Sequence, residues 1–300
     1  MGMTSVLRTA RDALSDAGLR GAFLVRDLDT GDELGIDADL EFPAASLVKV
    51  PLAIATLERV ARGELDATTA ITVRPGRVEK PGPTGLSKFR HPATIAVDDL
   101  LYLSTAISDG TAADALFALT PPAAVTAELR RLGHGAIAVR HIMSDLVDTP
   151  AERFEPGETH LAHTLAIHAT TTGRGHPVAQ LDISRANAGS ARAFIDLLSG
   201  LWRPTTIQTQ VAARVRELMG DNVLRHRLTP DFASDASRWS SKTGTLLNLR
   251  HEIGVVEHAD GQTFAVAALT ESRVPAATQP GAEAVMAQVA RSLRDELRMS

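Results

Sequence analysis

Apolar residues recur at helical spacing over 4–17 (Val6, Leu7, Ala10, Leu14) and stop near Gly18, which predicts an amphipathic N-terminal helix. The pattern then shortens. Ala22-Phe-Leu-Val25, a turn at Asp29-Thr-Gly-Asp32 and Glu33-Leu-Gly-Ile36 read as a hairpin over 21–36. Pro43-Ala-Ala-Ser46 leads into an apolar-rich helix over 47–61, stopped by Gly63, with Pro51 in its first turns, where proline is tolerated. Further helical patterns cover 97–107, 111–118, 121–132, 190–200 and 281–297. Late in the chain come a strand over 240–247 and a hairpin of 251–257 with 263–269 about Asp260-Gly261. Between the helices lies a long stretch, 140–189, rich in His, Thr, Gly and Pro, which reads as irregular; loops of that length are usually functional or mobile.

Strands at both ends with helices between them predict one antiparallel sheet built from both termini and a helical domain inserted in the middle. The fold class is α/β, of the α+β type. The division drawn is 1–45 with 205–300 for the sheet domain and 46–204 for the helical domain, with a site at their interface.

Composition narrows the function. A net charge of −5 without a basic run excludes a general nucleic-acid binder, and no apolar stretch is long enough to span a membrane. No charged and then apolar leader is visible at the N-terminus, so the expectation is a cytoplasmic protein, or a secreted one whose leader has been removed. The absence of cysteine rules out disulfides and thiolate chemistry, and leaves the redox compartment and the oligomeric state open. Of 31 basic residues only four are lysines: Lys49, Lys80, Lys88 and Lys242. Arginine keeps its proton, whereas a lysine can be tuned to act as a base, so lysines surviving this bias are candidates for chemistry. Lys80 and Lys88 read as solvated loop charges.

Ser46-Leu-Val-Lys49 places a serine at a helix start and a lysine on the same face one turn on, which is how a weak nucleophile acquires a base. Taken alone, an N-capping serine and a helix lysine explain the pattern equally well. Ser108-Asp109-Gly110 follows a helix, and Lys242-Thr243-Gly244 lies on a late strand. A second hydroxyl and a second ammonium add a proton relay and a positive field. A turn and a strand end are the plain readings of each, but chance explains the three in order poorly.

In that order the three motifs resemble the S-x-x-K, S-D-N and K-T-G signature of class A β-lactamases and penicillin-binding proteins. Phe42-Pro-Ala-Ala-Ser-Leu-Val-Lys-Val-Pro51, Thr84-Gly-Leu-Ser87, Ile107-Ser-Asp-Gly-Thr-Ala-Ala113 and Arg250-His-Glu-Ile-Gly-Val-Val256 extend the likeness over most of the chain. The resemblance implies a five-stranded antiparallel sheet flanked by helices and a serine acyl-hydrolase acting through a Ser46 acyl-enzyme. It implies Ser46, Lys49, Ser108 and Lys242 as catalytic groups and the N–H groups of Ser46 and Thr245 as oxyanion hole. Gly110, Thr243, Gly244, Thr245 and Arg250 would face a carboxylate-bearing small substrate, with no cofactor. For Arg250 a structural salt bridge is the competing reading.

Two departures from the family pattern bear on the outcome. Gly110 stands where the family has Asn, so the amide contact to a substrate acylamino group is absent and the pocket is wider. Arg153-Phe-Glu-Pro156 resembles the family's Arg-Trp-Glu-Pro run, which would make Glu155 the deacylating base; without the following Leu-Asn it also reads as a solvated loop acid, and the expected position falls nearer Met143-Ser144. Acylation is therefore expected to survive, while hydrolysis of the acyl-enzyme is in doubt. Relatives bearing SDG resemble ester-cleaving or weakly β-lactam-hydrolysing enzymes of actinobacterial metabolism, which suits the arginine bias. A slowly deacylating β-lactam- or peptide-binding protein stays open. A metal hydrolase using His160, His163, His168 and His176 is the first rival from another class, weakened by the absence of a clear helix there and of an acidic partner. A Ser-His-Asp hydrolase lacks its G-x-S-x-G elbow, and a tyrosine-based serine hydrolase is disfavoured because the sole tyrosine, Tyr102, sits in an apolar helix.

Overall fold

A computed structural model describes residues 3–75, 84–168 and 175–299; Lys80 lies outside the described residues. The chain opens with α1 (Met3–Asp16), β1 (Leu19–Asp27), β2 (Glu33–Ile36) and the short β3 (Glu41–Pro43). A 3₁₀ turn over Ala45–Val48 runs into α2 (Lys49–Ala61), so Pro51 falls in the first turn, whose N–H groups have no partner within the helix. β4 (Ala70–Val73), β5 (Ala93–Ala96), α3 (Val97–Thr105), α4 (Gly110–Leu119) and α5 (Pro122–Arg131) follow. Then come α6 (Met143–Val147), α7 (Thr159–Ile167), β6 (Ala188–Ser190), α8 (Ala191–Trp202), α9 (Thr209–Gly220) and α10 (Thr229–Phe232). The chain closes with β7 (Ser237–Leu246), β8 (Leu249–His258), β9 (Thr263–Ser272) and α11 (Pro280–Arg298).

The expected antiparallel sheet forms, with five strands in the order β2-β1-β9-β8-β7. Successive side chains of a strand leave on opposite faces, and β9 is buried on both. Phe264, Val266 and Ala268 meet Leu14, Met286, Val289 and Leu293 of α1 and α11. Ala265, Ala267 and Leu269 face the other way, toward Leu47, Leu52, Ile54 and Leu198. The near-continuous apolar run of β9 is thus the product of two cores, one on each side of the sheet. In α2, Lys49 to Glu58 are all buried, because the helix is enclosed by α4, α5, α9 and the 3₁₀ turn ahead of it.

Two expectations are corrected. The stretch 140–189 is not wholly irregular: it carries α6 and α7, and its two ends are tied by a bridge between Ala138 and Ala188. Asn187 closes that neck, its Oδ1 accepting from Arg140 N and His141 N. His160 and His163 accordingly lie on a helix. Helix α9 had not been anticipated. Its apolar residues Val211, Ala212, Val215, Leu218 and Met219 pack between α2 and β7.

Candidate active site

The three motifs converge at the seam between β7 and the helices. The 3₁₀ turn bearing Ser46 packs on β7, and the contact is closest at Gly244, where an added Cβ would stand 3.1 Å from both Ala44 O and Leu47 Cγ. Glycine is needed there for close approach of two backbones. Ala45, immediately before Ser46, has φ 47° and Ser108 has φ 64°, a left-handed backbone that costs a side-chain-bearing residue about 1–3 kcal/mol. Two residues so held in one site point to geometry maintained for chemistry rather than for stability.

Lys49 Nζ is the hub. It lies 3.3 Å from Ser46 Oγ, 3.3 Å from Ser108 Oγ and within hydrogen-bond reach of the Ser108 carbonyl. The lysine is fully buried, and burial pushes its pKa down to about 8 against the opposing pull of Asp109 and Asp114. On the other side Lys242 Nζ donates to Ser108 Oγ at 2.8 Å and to Thr243 O at 3.0 Å. It too is held well below the ordinary range, by burial first and then by the charges of Lys49 and Arg227, with Glu252 opposing. Ser108 Oγ therefore bridges two buried amines, and one of them reaches the Ser46 hydroxyl. An amine that can lose its proton near neutrality can take one from Ser46, and Ser108 can carry a proton toward a leaving group.

The turn that presents Ser108 is held by Asp109, which is completely buried at the N-cap of α4. Its carboxylate accepts from Thr111 N and Ala112 N of its own helix and from Leu86 N and Ser87 Oγ of the facing segment. Gly85 (φ 64°) fits against it, since a Cβ there would collide with the carboxylate. Thr84 Oγ1 donates to Ile107 O, which completes the clasp between 84–87 and 107–111. Gly110 opens α4, and a Cβ built there would make an ordinary contact with Met143 Cβ at 3.8 Å, so it fits without displacing its neighbours. One turn on, Asp114 accepts from Met143 N and Ser144 N, pinning the start of α6 beside Gly110.

β7 is an edge strand, so its outward N–H groups have no strand partner, and Thr245 is exposed there. The buried Arg227 supports this end of the strand: Nη1 donates to Gly244 O and His251 O, and Nη2 donates to Thr245 Oγ1 at 2.7 Å. Arg227 had not been singled out; it sits in an irregular segment and no local pattern marks it. His251 lies in the strand segment that resembles the family's, where the sequence alone gives it no role. Its Nδ1 accepts from Thr270 N at 3.0 Å, so Nε2 carries the proton and donates to Pro43 O at 3.0 Å, behind Ser46. Burial pushes its pKa down to about 3.

Arg250 is not brought to Ser46. It alternates with His251 along β8 and leaves the sheet on the other face. There, almost fully buried, it donates to Leu247 O, Leu249 O and Ala277 O and stands 3.7 Å from Glu283, which also pairs with Arg227 at 2.9 Å. The structural reading of Arg250 is the one this geometry fits. Glu155 is exposed between two 3₁₀ turns, and no hydrogen bond links it to Ser46, Lys49 or Ser108 among the described residues. The histidines of α7 do not converge: His160 is exposed, while His176, beyond the helix, is engaged with Ala166 O and Val178. Among the described residues no group of three His, Asp or Glu side chains is arranged to hold a metal.

A family model described as the beta-lactamase enzyme family matches residues 6–297. A protein of Streptomyces cacaoi named beta-lactamase regulatory protein BlaB is 65% identical over 305 residues, covering 98% of each chain. Among solved structures, a beta-lactamase from Chitinophaga pinensis shares 19% identity and a TM-score of 0.77, covering 98% of this chain and 99% of its own. One from Sphaerobacter thermophilus shares 21% identity and a TM-score of 0.76, covering 99% and 98%. At such identities these two structures establish the fold alone.

Proposed function

Because the chain belongs to the beta-lactamase enzyme family, we propose that it reacts as a serine acyl-hydrolase at the seam between the sheet domain (1–45 and 205–300) and the helical domain (46–204), through an acyl-enzyme on Ser46. The substrate is a β-lactam or a related ester or amide bearing a carboxylate. Lys49 takes the Ser46 proton, Ser108 passes a proton to the leaving group under the field of Lys242, and the backbone N–H groups of Ser46 and Thr245 receive the oxyanion. The substrate lies along the free edge of β7, over Thr243, Gly244 and Thr245. The single observation that carries this reading is the chain Ser46 Oγ, Lys49 Nζ, Ser108 Oγ, Lys242 Nζ, with successive separations of 3.3, 3.3 and 2.8 Å.

A slow second step is the version best supported. Glu155 is exposed, and among the described residues no carboxylate is hydrogen-bonded to Lys49 Nζ. The Streptomyces cacaoi relative carries the name of a regulatory protein, which supports, for this chain, a role in recognising a β-lactam-like ligand over one in clearing it. Intact-mass spectrometry over time with a chromogenic cephalosporin and a simple ester separates the possibilities. A long-lived adduct on the wild type that is lost in Ser46→Ala is expected. Rapid turnover without accumulation would favour the hydrolytic reading, and neither adduct nor turnover with either substrate class would sink both.

A further inference from the structure

A cavity lies at the far end of the sheet, where β7 begins, β8 ends and the last turns of α11 pass. Its volume is about 380 Å³, and Asp231, Ser237, His258, Asp260, Arg294 and Arg298 line it. Two guanidinium groups there address one imidazole. Arg294 Nη1 is 2.9 Å from His258 Nε2, and Arg298 Nη1 is 3.2 Å from His258 Nδ1. A neutral ring offers one N–H and one lone pair, and a protonated ring offers two N–H groups. In every protonation state at least one of these contacts therefore sets donor against donor.

The carboxylates around the cluster do not cure this. Asp295 accepts from Arg294 Nε, Asp260 pairs with Arg298 Nη2, and Arg291 of α11 stands 3.9 Å from Asp231 and 3.6 Å from Asp295. Among the described residues none of them is hydrogen-bonded to the His258 ring. Asp231 also lines the cavity, its buried Oδ2 without a hydrogen-bond partner, and among the described residues no acceptor is bonded to either ring nitrogen of His258.

We propose that this cavity binds a small ligand through an oxyanion, a phosphate or carboxylate group, held between Arg294, Arg298 and the protonated ring of His258. Such a group accepts from a guanidinium fork and from the ring together, and turns the donor conflict into three charge-assisted hydrogen bonds. Burial, then Arg298 and Arg294, hold His258 below its usual range, with Asp260 and Asp295 opposing. A bound anion offsets the two guanidinium charges, so binding strengthens as pH falls and the ring takes its proton. The site uses none of the groups around Ser46, and it stands whether or not Ser46 is acylated.

The test is proton NMR of the imidazole resonances of the full chain, with His258 assigned through His258→Gln. Inorganic phosphate and acetate are titrated separately at about pH 6 and about pH 7.5, against chloride at equal ionic strength. A saturable shift of His258 is expected, with its apparent pKa raised by about one pH unit and tighter binding at the lower pH. Arg298→Gln, at a partly exposed side chain, should abolish saturation while leaving the thermal melt in place. Arg294→Gln should do the same if it folds, and the test does not depend on it. Saturation by phosphate alone identifies a phosphorylated ligand, and by acetate alone a carboxylate; either supports the site. Identical titration of His258 in phosphate, acetate and chloride, or saturation retained in Arg298→Gln, overturns it and leaves an internal ion-pair network.

Discussion

Lys242 Nζ donates to Ser108 Oγ at 2.8 Å, and this bond joins the edge strand of the sheet to the turn between α3 and α4. Neither residue can shift freely. Lys242 is fixed by its place in β7 opposite Ile253, and Ser108 by a left-handed backbone that Asp109 anchors. The site is thus defined by two parts of the fold that share no local sequence, and its geometry depends on how the sheet docks against the helices.

The protonation of Lys49 sets the first expected outcome. With its pKa near 8, the amine is mostly charged at pH 7 and mostly neutral at pH 9. A base must be neutral to accept a proton, so the acylation rate of Ser46 should rise about tenfold per pH unit below that value and level off above it. Stopped-flow acylation by a chromogenic cephalosporin between about pH 6 and pH 9.5 reads this directly. A flat profile would remove Lys49 from the role of base.

Arg250 separates binding from stability. Its guanidinium is spent on four carbonyls and on the neighbourhood of Glu283, on the face of the sheet away from Ser46. Arg250→Gln should leave buried acceptors unpaired and cost about 2–4 kcal/mol. The preference of the site for a carboxylate-bearing over a methyl-esterified β-lactam should stay within about twofold. Denaturant melts and paired acylation rates measure the two effects. Loss of the preference with stability intact would return Arg250 to the substrate site.

What was legible beforehand follows from which interactions are local. Strands 251–257 and 263–269 were readable because β-branched and small apolar residues flank the turn at Asp260-Gly261, and the structure lengthens each by a few residues without changing the pairing. The spacing of Val211, Val215 and Leu218 does mark α9, yet only the depth of its burial shows that it belongs to the core. In α7 the mixture of Thr and His gives low helix propensity, and the helix is held by packing Ala162 and Ala166, which a sequence pattern cannot reveal. The motif residues Ser46, Lys49, Ser108 and Lys242 were visible as spacing. The residues that hold them in place, Asp109, Arg227 and His251, act across 17 to 208 positions of chain, where no period exists to be read.

His251 should govern part of the acid stability. Its folded pKa of about 3 lies below the usual value for histidine, so between about pH 6.5 and pH 3 the unfolded chain binds the extra proton. Stability contributed by the neutral ring is full above about pH 6.5 and is lost as pH falls through that window, by at most about 1.4 kcal/mol for each pH unit. His251→Gln can still donate to Pro43 O and has no such titration. It should be less stable than wild type at about pH 7.5 by roughly 1–2 kcal/mol, yet show a shallower decline toward about pH 4.5. Urea unfolding at several pH values compares the slopes, and equal slopes would refute the assignment.

Gly110→Asn tests whether the second half of the site is merely vacant. The nearest atom to a Cβ at that position is Met143 Cβ at 3.8 Å, an ordinary contact distance, so the side chain can start there without displacing its neighbours. Gly110 is also the first residue of α4, where asparagine is a better choice than glycine for an ordered backbone. Stability should therefore change by less than about 1 kcal/mol. An amide placed there can hydrogen-bond the acylamino group of a β-lactam, which glycine cannot, and one such bond contributes roughly 0.5–1.5 kcal/mol. Acylation of Ser46 by an acylamino-bearing penicillin should rise by about threefold to tenfold, while that by a β-lactam without the group should not. Because the substitution adds no carboxylate beside Ser46, deacylation should stay slow in the variant. An increase in steady-state turnover equal to the increase in acylation would show that the water-activating group was present all along.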